Sequence, residues 1–102
     1  MFTFLLILLF VAVVNGVDIK IYADAYFQGE YSNTRCNYKC EGWGRYWDRK
    51  ISSIDTKGGC IRVFDDSSCN GDSTYIYPGT PSHDNLEEIG WNDRIMACTS
   101  CN

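Results

Sequence analysis

The same arrangement of aromatic, apolar and glycine residues occurs twice in the sequence, with an offset of 42 residues. The repeated positions are Tyr22, Phe27 and Gly29 in the first copy, and Phe64, Cys69 and Gly71 in the second. Apolar residues alternate with polar ones before each copy, at Ile19 and Ile21 and again at Ile61 and Val63. This period-two pattern is typical of a half-buried strand. Because a glycine permits positive φ, the repeat predicts two equivalent hairpins, each folded over its own strand.

Each copy is followed by a second repeated segment that begins with a tryptophan and an acid or amide. Residues 47–54 read WDRKISSI, and residues 91–98 read WNDRIMAC. Together with the hairpin spacing, these segments resemble the signatures of the βγ-crystallin Greek-key motif, over nearly all of residues 17–102. The resemblance implies an all-β fold, namely a βγ-crystallin-like Greek-key β-sandwich of two four-stranded motifs. Motif 1 would span about residues 17–58 and motif 2 about residues 59–102.

Short apolar segments separated by turn signals fit the same architecture. Strands are expected at residues 30–35, 51–56, 60–64, 74–77 and 94–98. Residues 36–47 are expected to form a loop, and a helical turn is expected within residues 80–89. Nothing in the sequence has the length and periodicity of a long helix.

The two hairpins are not expected to be held in the same way. By the resemblance, Ser53 occupies the position whose hydroxyl pins the first hairpin, beside the structural residues Tyr22, Phe27 and Gly29. The second hairpin keeps Phe64 and Gly71, but Cys69 replaces the aromatic ring and Ala97 replaces the serine. We therefore expect a disulfide from Cys69, to Cys60 or Cys98, to substitute for the missing contacts.

The first residues of the chain predict the cellular location of the protein. Residues 2–14 are nearly all apolar, and Asn15 and Gly16 follow, with Asp18 and Lys20 close behind. The apolar run is shorter than the roughly 20 residues of a membrane span. We predict a secretory signal peptide at residues 1–16 rather than a membrane anchor, and a secreted, extracellular domain at residues 17–102.

Six cysteines are expected to reinforce this domain. They are Cys36, Cys40, Cys60, Cys69, Cys98 and Cys101. An even number of cysteines in a short secreted chain predicts three disulfides, although the sequence does not choose the pairing. Each disulfide would stabilise a small core by about 2–4 kcal/mol. Zinc held by Cys36, Cys40, Cys98 and Cys101 is the alternative, which an oxidising compartment disfavours.

The charge of the chain excludes several functions. The formal net charge is −4, and no run of basic residues is present. Binding to nucleic acid needs a basic surface that neutralises phosphates, and surface insertion into membranes favours a cationic amphipathic segment. We expect neither. The acidic, mixed charge fits a monomer, and the sequence indicates no particular protein or glycan partner.

Two other activities have only weak support in the sequence. Ser82, His83 and Asp84 are adjacent, and adjacent residues rarely converge into a hydrolytic triad, so we expect no enzyme. A sugar-stacking surface could be formed by Tyr26, Trp43, Tyr46, Trp47 and Trp91. Aromatic residues dominate small cores, which makes packing the simpler interpretation of this set.

The resemblance also implies calcium sites shared between the two motifs. In each site, an acid or amide from one motif would meet a hydroxyl and a backbone carbonyl from the other. These are hard oxygen ligands of the kind that calcium takes. The first copy keeps Ser52 and Ser53 but has Arg49 where an acid or amide belongs.

The second copy departs from the pattern in the complementary positions. It keeps Asn92 and Asp93 but has Met96 and Ala97 where the hydroxyls belong. If the sites are shared, Asn92 and Asp93 meet Ser52 and the Lys50 carbonyl, which gives one usable calcium site. Met96 would meet Arg49, and a thioether beside a positive charge does not hold calcium.

These features predict a secreted, non-enzymatic module, either structural or calcium-responsive. The alternative is a secreted, cysteine-rich defence, antimicrobial or killer-toxin-like protein on the same fold. The absence of a basic charge disfavours this alternative.

Overall fold

The computed structural model describes residues 16–78 and 84–101. In these residues the strands are β1 (Val17–Asp24), β2 (Gln28–Cys36), β3 (Glu41–Gly42), β4 (Ser53–Asp55), β5 (Ile61–Phe64), β6 (Ser73–Ile76) and β7 (Ala97–Ser100). A four-residue helix, α1, spans Gly44–Trp47, and a 3-10 turn spans Leu86–Ile89. Across the described ranges, no helix is both long and apolar enough to cross a bilayer. The predicted signal peptide lies outside them except for Gly16, and so do Ser82 and His83.

The strands form two antiparallel sheets, in the orders β2-β1-β4 and β3-β7-β5-β6. The all-β Greek-key architecture is therefore confirmed. The last strand begins later than expected, at Ala97, because residues 92–94 form a turn. The expectation that residues 36–47 form only a loop was wrong, since β3 and α1 lie within them.

The first half of the chain contributes a strand to the sheet of the second half, and a backbone hydrogen bond joins the halves in the opposite direction. β3 comes from the first half but pairs with β7, placing Glu41 opposite Cys98 and Gly42 opposite Ala97. Directly after β3, the Trp43 amide donates to the Met96 carbonyl at 3.3 Å. The matching contact on the other sheet joins the Leu86 amide to the Ser52 carbonyl at 3.0 Å. Each half of the chain therefore depends on the other for part of its backbone hydrogen bonding.

The core lies between the two sheets and contains the alternating residues that the sequence predicted. Its buried aliphatic members are Ile19, Ile21, Ile51, Ile54, Ile61, Val63, Ile76, Leu86 and Ile95. Trp91 is buried with them, and Trp43 and Trp47 pack against the cluster. Three of the five aromatic residues considered for sugar stacking thus serve packing, while Tyr26 and Tyr46 are exposed.

Three disulfides join the six cysteines, with Cys36 bonded to Cys98, Cys40 to Cys69 and Cys60 to Cys101. No cysteine of the described residues is free, so no thiolate is left for zinc. The expectation that Cys69 pairs with Cys60 or Cys98 was wrong. Cys40 directly precedes β3, and the chain at this point reaches the second hairpin, whereas Cys98 faces the core and is bonded to Cys36.

Candidate metal site and the hairpins that frame it

The first hairpin is pinned by one ring and one hydroxyl. The rings of Tyr22 and Phe27 lie 5.5 Å apart at a tilt of 46°. Ser53, which is fully buried, donates from Oγ to the Asp24 carbonyl at 2.6 Å and accepts from the Phe27 amide at 3.1 Å. Gly29 has φ +79°, and a Cβ there would lie 2.3 Å from Asp24 Oδ2. Residues from two strands and the turn therefore fix this hairpin to the sheet.

The second hairpin matches the first at one backbone position only, because Gly71, unlike Gly29, does not have positive φ. Cys69 has φ +61°, close to the +58° of Phe27 at the equivalent position. Ala97 provides no hydroxyl, and the Cys40–Cys69 disulfide replaces the ring contact. Phe64 remains buried beneath the turn, with 5% of its surface exposed.

The carboxylate of Asp66 forms hydrogen bonds within the second hairpin. Asp66 Oδ2 accepts hydrogen bonds from the Ser68 hydroxyl at 2.6 Å, the Ser68 amide at 3.0 Å and the Asn70 amide at 3.3 Å. From the sequence, Asp66 was interpreted as a solvated surface carboxylate, and its structural role was missed. The signal was an aspartate two residues before a serine, because aspartate side chains commonly accept from the backbone two residues on.

These hydrogen bonds predict that the second hairpin is sensitive to acid. The bond from the Ser68 hydroxyl, followed by those from the Asn70 and Ser68 amides, lowers the pKa of Asp66 from its ordinary value of 3.8. A carboxyl with a lowered pKa in the folded state contributes its stability above the ordinary value and loses it as pH falls through the lowered one. We expect the Ser68 and Asn70 amide resonances to titrate below pH 3.8.

The Asp66→Asn variant tests the assignment by NMR. This substitution should abolish the acid titration of both amides. Asp24→Asn, at the equivalent position of the first hairpin, is the matched control and should leave the titration intact. Titration that persists in Asp66→Asn would contradict the assignment.

The candidate metal site lies where the two tryptophan-led segments cross. The Asp93 amide donates to the Ile51 carbonyl at 3.1 Å, and the Arg49 amide donates to the Ile95 carbonyl at 3.0 Å. Asp93 and Arg49 have matching left-handed conformations, with φ +57° and +55°. This crossing brings Asp93 to the segment that contains Lys50 and Ser52, and brings Arg49 to the segment that ends in Met96.

Three oxygen groups on the Asp93 side are available to a ligand. Ser52 is 8% exposed, and its hydroxyl makes no hydrogen bond to another described residue. The Lys50 carbonyl accepts none in the same ranges either. Asp93 pairs with no cation there, and its Oδ2 accepts only from Asn92 Nδ2, at 3.3 Å. The carboxylate, hydroxyl and carbonyl therefore retain their capacity as acceptors.

The chemistry of these groups decides which ion fits. In the part of the chain that is described, no group of three or more His, Cys, Asp or Glu side chains could hold a metal. A site at this crossing must therefore use neutral oxygens beside one carboxylate. Calcium accepts hydroxyls, carbonyls and waters in a coordination shell of about six to eight oxygens, whereas zinc prefers nitrogen and sulfur. The donor set fits calcium.

The opposite side of the crossing does not offer these donors. Arg49 is two-thirds exposed, and its Nε lies 3.9 Å from Asp48 Oδ2. Met96 supplies a thioether where the first side has a hydroxyl. A guanidinium and a soft sulfur disfavour a hard cation.

Both sides share a feature that sequence reasoning missed. The acid that follows the hairpin glycine pairs with the fourth residue of the tryptophan-led segment, which is basic in each copy. Lys50 Nζ lies 3.1 Å from Glu30 Oε1, and Arg94 Nη2 lies 3.5 Å from Asp72 Oδ2. Arg94 also reaches Asp65 Oδ2, at 2.9 Å. The sequence signal was an acid 20 or 22 residues before a base in both copies.

Aromatic rings support both ion pairs. Lys50 Nζ lies 3.9 Å from the ring centroid of Tyr46, and the Arg94 guanidinium lies 4.3 Å from that of Trp91. The Tyr46 hydroxyl donates to Glu30, and this bond, together with Lys50, lowers the pKa of Glu30. Glu30 in turn raises the pKa of Lys50. Each acid beside the crossing thus already has a protein cation, whereas Asp93 has none in the described ranges.

Comparisons with known proteins agree on the fold. No protein-family model matches the sequence, and no curated protein matches it either. An archaeal βγ-crystallin structure is 23% identical and has a TM-score of 0.67, with 84% of this chain and 99% of that chain covered.

Two further solved structures are similar to the same extent. A βγ-crystallin from Ciona intestinalis is 22% identical with a TM-score of 0.65, over 81% of this chain and 98% of its own. A βγ-crystallin domain from Flavobacterium johnsoniae is 22% identical with a TM-score of 0.61, over 79% and 90% of the two chains. The chain has the βγ-crystallin fold.

Proposed function

We propose that this chain is a secreted, non-enzymatic calcium-binding module with one site, at the Asp93 side of the crossing. The observation that supports the proposal is the pair of hydrogen bonds that joins Asp93 to Ile51 and Arg49 to Ile95. These bonds place Asp93, a carboxylate that pairs with no cation in the described ranges, against the segment with the free hydroxyl and carbonyl. They also place Arg49 and Met96, which do not suit a calcium ion, together on the opposite side of the crossing.

Each residue would have a distinct role in this site. The Asp93 carboxylate would supply the negative charge, and the Ser52 hydroxyl and Lys50 carbonyl would supply neutral oxygens. Asn92 would orient the carboxylate through its side-chain amide, which already donates to Asp93 Oδ2. Water would complete the shell, because calcium needs more oxygens than these groups provide. Bound calcium would link the two halves of the chain and so stabilise the fold.

Calorimetric titration of calcium into the oxidised, EDTA-treated protein tests this proposal. We expect saturable binding of one ion per chain and a higher melting temperature with calcium. Linkage gives about 2.7 kcal/mol of added stability at a free calcium concentration of about 100 times Kd. Asp93→Ala and Ser52→Ala should each abolish the heat and the shift in melting temperature.

Arg49→Ala is the matched control for Asp93→Ala. Both residues have a left-handed backbone in equivalent turns, so alanine introduces similar strain at each. Calcium binding should be unchanged or tighter in Arg49→Ala, since a positive charge is removed. Loss of binding in both variants would indicate that turn geometry, and not the carboxylate, is responsible. Wild-type protein without heat or thermal shift would contradict the proposal.

A further inference from the structure

The three disulfides differ in their access to solvent. Cys36 and Cys98 are both completely buried in the core. Cys60 and Cys101 are partly buried, and Cys69 is partly buried while its partner Cys40 is exposed. Exchange with an external thiol requires a thiolate to approach one sulfur directly. On access alone, Cys40–Cys69 is the bond that an external thiol reaches first.

The surroundings of this disulfide limit what its opening would disturb. It holds the second hairpin, in which Cys69 stands where Phe27 stands in the first. The Ser53 hydroxyl, which pins the first hairpin, has no counterpart at Ala97. The second hairpin otherwise keeps the exposed hydrogen bonds to Asp66, the bond from the Asp65 amide to the Asp72 carbonyl at 3.1 Å, and the ion pairs of these two acids with Arg94, none of which is fully buried. A segment with few buried contacts opens at a lower free energy than the core does.

The rest of the fold does not depend on this bond. Cys36–Cys98 joins β2 of one sheet to β7 of the other, and Cys60–Cys101 closes the chain end beside β5 and β7. Cleavage of Cys40–Cys69 would therefore release one hairpin and leave the sandwich folded.

We propose that Cys40–Cys69 is a thiol-exchange site through which a small thiol of the glutathione type switches the second hairpin between a fixed and a released state. The thiolate attacks Cys40 Sγ and forms a new disulfide with it. The bond between Cys40 and Cys69 breaks, and its electron pair leaves on Cys69 Sγ as a thiolate. A second thiol then displaces Cys40 and departs as the oxidised dimer, so that two electrons reach the protein.

Alkylation during titration with reduced glutathione tests the site. The oxidised protein is incubated with increasing glutathione, trapped with iodoacetamide and mapped by peptide mass spectrometry. We expect Cys40 and Cys69 to be labelled, with Cys40 also carrying glutathione, at least ten-fold faster than the other four cysteines. Labelling of all six together, or of Cys60 and Cys101 first, would overturn the proposal.

Hydrogen exchange distinguishes a switch from a merely reducible bond. In the selectively reduced protein, the amides of Ser68 and Asn70 should exchange at least ten-fold faster, while those of Ile21 and Val63 should not change. The Cys40→Ser/Cys69→Ser variant should reproduce this pattern without glutathione. The Cys60→Ser/Cys101→Ser variant should leave the labelling of Cys40 and Cys69 unchanged. Uniform acceleration in the reduced wild-type protein would show global unfolding and overturn the switch.

Discussion

Replacing Cys36 and Cys98 together by alanine is expected to lower the free energy of unfolding by about 2–5 kcal/mol. The bond joins residues 62 positions apart, so its loss gives the unfolded chain considerable conformational freedom. Both residues are fully buried, and Trp43 Nε1 donates to Cys98 Sγ at 3.1 Å. Alanine would leave this donor without its acceptor and leave space in the core.

Urea denaturation followed by tryptophan fluorescence measures the effect. The control is Cys60→Ala/Cys101→Ala, which removes a disulfide with a separation of 41 residues at a partly exposed site. Loop closure alone predicts similar losses for the two variants, because the entropy depends only weakly on loop length. We expect the core variant to lose more, since it also disturbs packing. A larger loss in the control would show that the core bond is not the main covalent reinforcement.

Ser53→Ala is expected to destabilise the protein by about 1–3 kcal/mol, because its hydroxyl makes hydrogen bonds with two backbone groups and each such bond is worth about 0.5–1.5 kcal/mol. These groups are the Phe27 amide and the Asp24 carbonyl, both bonded to the Ser53 hydroxyl. Thermal denaturation monitored by circular dichroism measures the loss. The amide of Phe27 should also lose its protection from hydrogen exchange.

Ser100→Ala is a closely matched control for Ser53→Ala, and we expect no destabilisation from it. Ser100 is also buried, with 6% of its surface exposed, and its hydroxyl has no hydrogen-bond partner among the described residues. Burial of a hydroxyl without a partner costs free energy, so alanine should be neutral or slightly stabilising here. Equal destabilisation by both substitutions would mean that the volume of the side chain, and not its hydrogen bonds, stabilises the protein.

The repeat in the sequence was sufficient to predict the sandwich and the first hairpin. Alternation at Ile19, Ile21, Ile61 and Val63 identified strands and their buried faces, because side-chain direction in a strand has a period of two. The exchange of β3 between halves was not visible in the same way. Glu41 and Gly42 are too short a segment to carry a pattern, and a distant strand, β7, defines them.

The pairing of the cysteines also depends on distant parts of the chain and could not be predicted from local sequence. The loss of the ring and the serine in the second hairpin correctly indicated that Cys69 is a structural substitute. Its partner depended on where residues 36–43 pass in space, and no local pattern specifies that. At the candidate site, the crossing of two segments was implied by the resemblance to the βγ-crystallin motif, whereas the ion pairs of Lys50 and Arg94 required the coordinates. The calcium site itself stays a prediction.

The passage of each half into the surroundings of the other has a consequence for how such a sequence can change over generations. Asp93 faces the segment that holds Ser52, and Trp43 bonds to Met96 across the same boundary. Although the two halves resemble each other in sequence, they cannot diverge independently. A substitution in one half must remain compatible with the residues that it contacts in the other half. If calcium binds as proposed, the asymmetry of the two crossings is a joint specialisation, in which one crossing holds the ion and the other does not.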